Sequence, residues 1–264
     1  LRTFKDEFRE VSRGRRQARA VALLDDRERL VEATCDICHC VLSGGTPFDV
    51  FRDGRISCKA CSAIGLVHLV DLERIFHEVA VPFFRERHQI VDVVNVRVEL
   101  VDQAEISDAQ GKRFIPTSGF DTRAIGLAMK DAGRLCSATV DGQDRHVVLI
   151  ESGFSPEATA NTLVHELCHV WQYNHVNLGA LDTQTGKLYI EGHAVWTEAT
   201  FLEWVTSQSI GQFKQERWQD VISSHEALKN GDTVYGEGFR LVNGHLVLFD
   251  RSAFDWLRRS YPQS

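Results

Sequence analysis

The chain has 264 residues, of which 43% are hydrophobic and 25% charged, with only 5 prolines. This composition fits one ordinary globular domain plus a small appendage, and it excludes a mostly disordered or fibrous chain. A net charge of −7 argues against nucleic acid or an anionic membrane as the main partner. No apolar run of about 18 residues is present to span a bilayer.

Residues 1–33 read as a helical arm in two pieces. Phe4, Phe8 and Val11 fall at i, i+4 and i+7, and the pairs Leu23/Leu30 and Leu24/Val31 repeat at seven. The first twenty residues carry seven Lys/Arg against three Asp/Glu, which suits either a solvated helix face or a binding arm.

Residues 34–66 hold five of the seven cysteines: Cys35, Cys38, Cys40, Cys58 and Cys61. An odd total crowded into one segment suits metal-binding thiolates in a reducing, cytoplasmic setting better than a disulfide framework. The pairs Cys35/Cys38 and Cys58/Cys61 are separated by 19 residues, and two such turns complete a tetrahedron around structural zinc. Between them, Asp53-Gly54 marks the turn of a hairpin, as in zinc-ribbon and LIM-type fingers. A segment this short cannot fold on its own core, so the metal supplies the folding energy. His39 and Cys40 stand next to Cys38 as alternative ligands, and His68 is a more distant one.

Residues 67–264 form the larger domain. Leu72, Ile75, Phe76 and Val79 are spaced as a helix that Pro82 kinks or ends. Val91 to Val101 and Arg145 to Glu151 read as strands, and residues 103–122 as a polar surface loop. Leu135 to Val140 followed by Asp141-Gly142 reads as a hairpin. Ser155-Pro156-Glu157 is a helix start, with Ser as cap, Pro at the first position and Glu at the positive end.

The helix that follows carries His165-Glu166-Leu167-Cys168-His169, the HExxH arrangement. Residues four apart share one helix face, so both imidazoles can reach one zinc while Glu166 aims its carboxylate at a water on the metal. A catalytic zinc needs a third protein ligand and an open position. Glu191 competes for it with His175, six residues past His169, and with His193. Glu191 lies on the apolar stripe of Ala194, Val195, Phe201, Leu202 and Val205, where a carboxylate needs a partner. Glu198, seven residues on, shares that face and can accept from the outer nitrogen of a ligating histidine. Tyr235 and His225 are candidate donors to the oxyanion. The strand Val147 to Ile150 is the expected place for an extended peptide to add.

HELCHVWQ, EGHAVW and VYGEGFR, with a cysteine knuckle upstream, resemble the DA-one-like peptidases, gluzincin-class enzymes with LIM-type fingers. The resemblance covers residues 34–245 loosely and is specific at those three motifs. It implies an α+β fold with a zincin-like metallopeptidase domain, a small sheet plus active-site helices, behind an N-terminal four-cysteine zinc knuckle. It also implies His165, His169 and Glu191 as ligands of a catalytic zinc and Glu166 as the base. The expected function is that of a zinc-dependent endopeptidase on protein or peptide substrates, with the knuckle recruiting substrate or a regulatory protein. The alternative is a zinc-knuckle adaptor whose peptidase-like domain does not turn over.

Overall fold

The computed structural model describes residues 33–43, 46–111, 125–129, 146–208, 213–249 and 252–263. The helical arm and the hairpin at 135–142 expected from sequence lie outside these residues. Helices with a small sheet build the fold, in keeping with the α+β reading. The chain divides into two compact units: Leu1–Val67 with Val101–Ala124 and Glu151–Ser155, and His68–Leu100 with Ile125–Ile150 and Pro156–Ser264. Two stretches that sequence reasoning gives to the larger domain therefore group with the knuckle. Among the described residues no helix is long and apolar enough to cross a membrane.

In the first unit, β1 (Ala33–Thr34) pairs antiparallel with β2 (Val41–Leu42), and β3 (Phe48–Val50) pairs antiparallel with β4 (Ile56–Cys58). A one-turn helix, α1 (Lys59–Ser62), follows directly, and the Cys58 sulfur caps it by accepting from the Cys61 amide. The core here is small: Leu42 and Ile56 with Cys35, Cys58 and Cys61, flanked by Ile37 and Phe48. Beneath the β3–β4 turn, Arg55 is 1% exposed and pairs with the fully buried Asp53 and Glu151. Its guanidinium also donates to the Ser152 carbonyl at 3.0 Å, and Asp53 accepts the Gln103 amide at 2.9 Å.

Sequence reasoning leaves residues 103–122 as a loop, yet Gln103–Ala109 forms a helix, α4. Asp102 accepts the Glu105 amide and the Glu105 side chain accepts the Asp102 amide, a reciprocal cap that starts the helix.

The second unit begins with α2 (Leu69–Ile75), which passes through a π turn (Phe76–Ala80) into α3 (Val81–His88). Pro82 does not end the helix. The widened turn, closed by Val81 N–H to Phe76 C=O, takes up the missing donor and the crowding of the ring. After a 3-10 turn (Asp92–Val94) the chain forms β5 (Val96–Val101), then β6 (Gly126–Met129) and β7 (His146–Glu151). The sheet order is β5-β7-β6, with β6 antiparallel to β7 in the register Gly126↔Ile150 to Met129↔Val147. The strand Val147 to Ile150, expected to receive a peptide, is thus the central strand. Its main-chain groups are committed on both sides, and the edges among the described strands are β5 and β6.

Among the described residues, five α-helices complete the unit: α5 (Pro156–His175), α6 (Gln184–Ser207), α7 (Gln215–Asn230), α8 (Val234–Phe249) and α9 (Ala253–Ser260). The buried face of α5 includes Leu163, Val164, Leu167, Val170 and Trp171, and that of α6 includes Ala194, Val195, Phe201 and Val205. Helices α6 and α8 cross backbone to backbone. A Cβ on Gly192 would stand 2.1 Å from the Gly238 carbonyl carbon, and one on Gly238 2.2 Å from the Leu188 oxygen. Gly192 of the EGH motif and Gly238 of the GEG motif therefore serve this crossing, which carries Tyr235 towards the turn that bears Glu191.

Candidate functional site

On α5, the apolar face fixes the rotation of the helix and leaves His165 and His169, one turn apart, on the partly open side. Their Nε2 atoms are 3.1 Å apart, and the Glu191 Oε2 from α6 lies 3.4 Å from the first and 3.5 Å from the second. Tetrahedral zinc with bonds near 2.05 Å requires donor atoms about 3.3 Å apart. The three atoms form that triangle, so this set can hold a metal ion.

Each imidazole is oriented from behind. The Nδ1 of His165 faces Glu198 Oε1 at 3.5 Å, and that carboxylate accepts from Asn161 Nδ2 at 2.9 Å. The Nδ1 of His169 meets Gln172 Oε1 at 2.7 Å. Acceptors on the outer nitrogen hold a ligating ring with its other nitrogen towards the metal.

Electrostatics separate the two carboxylates of the site. Burial opposes ionisation of Glu191, but hydrogen bonds from His165 and His169 outweigh it and hold the carboxyl well below its usual range. Burial pushes Glu166 up, against the attraction of the same two histidines and the Ala128 amide. Burial also disfavours charge on the imidazoles, yet Glu198 and Glu191 at His165, and Glu191 at His169, raise both rings above their ordinary value. One carboxylate is thereby held as an anion, and the other is poised nearer to taking a proton.

Strand β6 sets the position of Glu166. Its Oε2 accepts the Ala128 N–H at 2.7 Å, and a Cβ on Gly126 would come within 2.7 Å of its Cγ and Oε1. Only a glycine there lets the strand approach this closely. The other main-chain group of Ala128, its carbonyl, accepts from the Tyr173 hydroxyl at 3.2 Å.

Tyr235 stands where an oxyanion donor can reach the site: its ring is 6.1 Å from that of His165 and it is 37% exposed. Burial and the carboxylates of Glu191, Glu166 and Glu198 push its hydroxyl up to about 12, so the phenol keeps its proton. His225 stands elsewhere. It is buried, its Nε2 donates to the Val195 carbonyl at 3.1 Å, and it faces Glu198 Oε2 at 3.5 Å. It supports Glu198 from behind and does not line the metal triangle, because α7 packs it behind α6. His175 pairs with Asp92 and stacks on Trp171, and His193 is fully buried among Trp171, Trp196 and Phe254. Neither reaches the site.

Sequence reasoning passes over Asn161, Gln172, Tyr173 and the β6 residues. The first three lie at i−4 from His165 and at i+3 and i+4 from His169, a spacing that marks them as neighbours on one helix face. The β6 contacts have no local signal.

In the first unit, the sulfurs of Cys35, Cys38, Cys40 and Cys58 lie within 4.8 Å of one another and can hold a second ion. Tetrahedral zinc with bonds near 2.3 Å requires sulfurs about 3.8 Å apart, and Cys38 and Cys58 are 3.8 Å apart. The Ile37 and Cys58 amides donate to Cys35 Sγ at 3.4 and 3.3 Å, and the Cys61 amide donates to Cys58 Sγ at 3.4 Å. Burial opposes ionisation of Cys58, but that amide and the neighbouring thiols outweigh it and bring the group down to about 7. Cys40 stands in this quartet where the sequence reading places Cys61. His39 adopts a left-handed backbone with φ of 60°, which turns Cys40 back beside Cys38, while Cys61 is buried and donates its amide to Cys58 Sγ.

Comparison of the chain with protein-family models, with curated proteins and with solved structures finds no match.

Proposed function

We propose that the second unit is a zinc-dependent peptidase of the HExxH-plus-Glu class, as the resemblance to DA-one-like peptidases implies. The observation that carries this reading is a triangle of two imidazoles and one carboxylate, with a further carboxylate beside it that stays out of the donor set. His165, His169 and Glu191 hold the ion, and its contribution is Lewis acidity towards a water and a carbonyl oxygen. Glu166 takes the proton of the attacking water and returns it to the leaving amine. Its raised proton affinity supports both halves of that exchange. Tyr235 donates to the oxygen that gains charge as the carbonyl is attacked.

An extended peptide adds at the edge strand β6 rather than at β7. Both outward groups of Ala128 are engaged, by Glu166 and by Tyr173, so pairing at that residue requires these side chains to yield its N–H and C=O. The thiolate quartet of the first unit is a structural zinc site, and the knuckle around it is the part that takes a substrate or regulatory protein.

Replacing Glu166 with Gln tests the reading. Peptide cleavage by the full chain is expected to fall about 10²- to 10⁴-fold with the zinc content unchanged. Undiminished cleavage overturns the assignment of Glu166. Wild-type protein with both ions bound and no cleavage of any unfolded substrate favours the adaptor reading.

A further inference from the structure

Gln172 is 1% exposed and makes three well-formed hydrogen bonds, which together leave its amide one orientation. Its nitrogen lies 2.9 Å from the Ile190 carbonyl oxygen and 3.0 Å from His193 Nδ1. A main-chain carbonyl can only accept, so the NH2 end must face Ile190. The Oε1 end then faces His169, whose Nδ1 at 2.7 Å must carry the proton and donate. That fixes the tautomer of His169 with its lone pair on Nε2, the atom 3.5 Å from Glu191 Oε2.

Ile190 immediately precedes Glu191 on α6, whereas His169 and Gln172 belong to α5. One buried side chain thus ties the turn that carries the third ligand to the ring of the second. We infer that Gln172 is a positioning residue of the metal centre: it braces the two ligand-bearing helices and presets the His169 ring for the ion. The inference rests on the metal-centre reading above. It goes beyond that reading by assigning a metal-affinity role to a residue outside the HExxH pair and Glu191.

The mechanism predicts which features of the side chain matter. Gln172→Met keeps length and apolar bulk but offers neither acceptor nor donor, so both halves of the brace are lost. Gln172→Glu keeps an acceptor for His169 and loses the donor to Ile190.

Zinc affinity of the full chain, measured by chelator competition with the knuckle loaded, tests the brace without reference to turnover. Gln172→Met is expected to weaken the second site by about 10- to 100-fold, and Gln172→Glu by less. In zinc-loaded wild type with labelled histidines, the His169 Nδ1–H is expected to be protected from exchange with water, and in Gln172→Met that protection is expected to be lost. Wild-type affinity in a folded Gln172→Met chain overturns the inference. So does rapid exchange of the His169 Nδ1–H in wild type, a result that needs no variant to fold. A second ion bound tightly without any peptide cleavage sinks the peptidase reading and leaves the brace standing.

Discussion

The two candidate metal centres are built on opposite plans. In the knuckle, all the sulfurs come from one short segment, and tight turns with N–H···S bonds place them. Little apolar core surrounds them, so an ion bound there would supply much of what holds the unit together. In the second unit the candidate ligands come from two long helices with extensive buried apolar faces, and acceptors stand behind both histidines. Four thiolates close a coordination sphere, whereas three donors with a carboxylate alongside leave one open. The contrast teaches that donor number and the origin of the surrounding stability, more than the presence of ligands, separate a folding site from a reacting one.

The contrast is sharpest where stability is concerned. Arg55→Met leaves the buried Asp53 and Glu151 carboxylates without their cation, and the cost is expected to be about 3–5 kcal/mol of unfolding free energy. Denaturant unfolding followed through the first unit measures it. A loss below 1 kcal/mol would mean that apolar packing, and not this ion pair and the metal, holds the unit.

In the second unit a comparable intrusion should strike function first. Gly126→Ala pushes a methyl against Glu166 Cγ, and a base moved by about 1 Å costs on the order of 10²-fold in kcat. Steady-state kinetics beside metal analysis should show kcat falling with both ions retained. Loss of the metal instead would mean that β6 shapes the ligand set rather than the base.

A third effect concerns pH and builds up with each unit of acidification. Burial, and to a lesser degree Arg87, push His88 down to about 3 from 6.5, so the folded ring stays neutral where an unfolded one is charged. Above pH 6.5 neither state binds the proton. Below it the unfolded chain gains one that the folded chain refuses until about pH 3, so stability falls as pH falls, by up to ~1.4 kcal/mol per pH unit. Thermal unfolding from pH 7 to 4 should show that slope, and His88→Gln should flatten it.

How much of this was legible in the sequence depends on the range over which each feature is determined. His165, Glu166 and His169 are fixed by the helical period alone, and Glu191 and Glu198 follow from the apolar stripe they share, so the expected geometry and the observed one agree. Helix α5 starts at Pro156, the residue its cap signals indicate. The strand that holds Glu166 was not legible. It has four residues, and what defines it is pairing with β7 about twenty residues later and an approach by Glu166 about forty residues later. The knuckle's candidate ligand set was legible as a cluster but not as four particular atoms, because the left-handed turn at His39 brings Cys40 beside Cys38 and no glycine announces it. His225 illustrates a different gap. Its residue type suits an oxyanion donor, but only the packing of α7 puts it behind Glu198.

Metal content per chain tests the central claim, two centres of unlike chemistry, most directly. Wild type is expected to hold two zinc ions, the double substitution His165→Ala and His169→Ala one, and the double substitution Cys35→Ser and Cys58→Ser one. A wild type that holds one ion, retained after the histidines are replaced, would contradict the account.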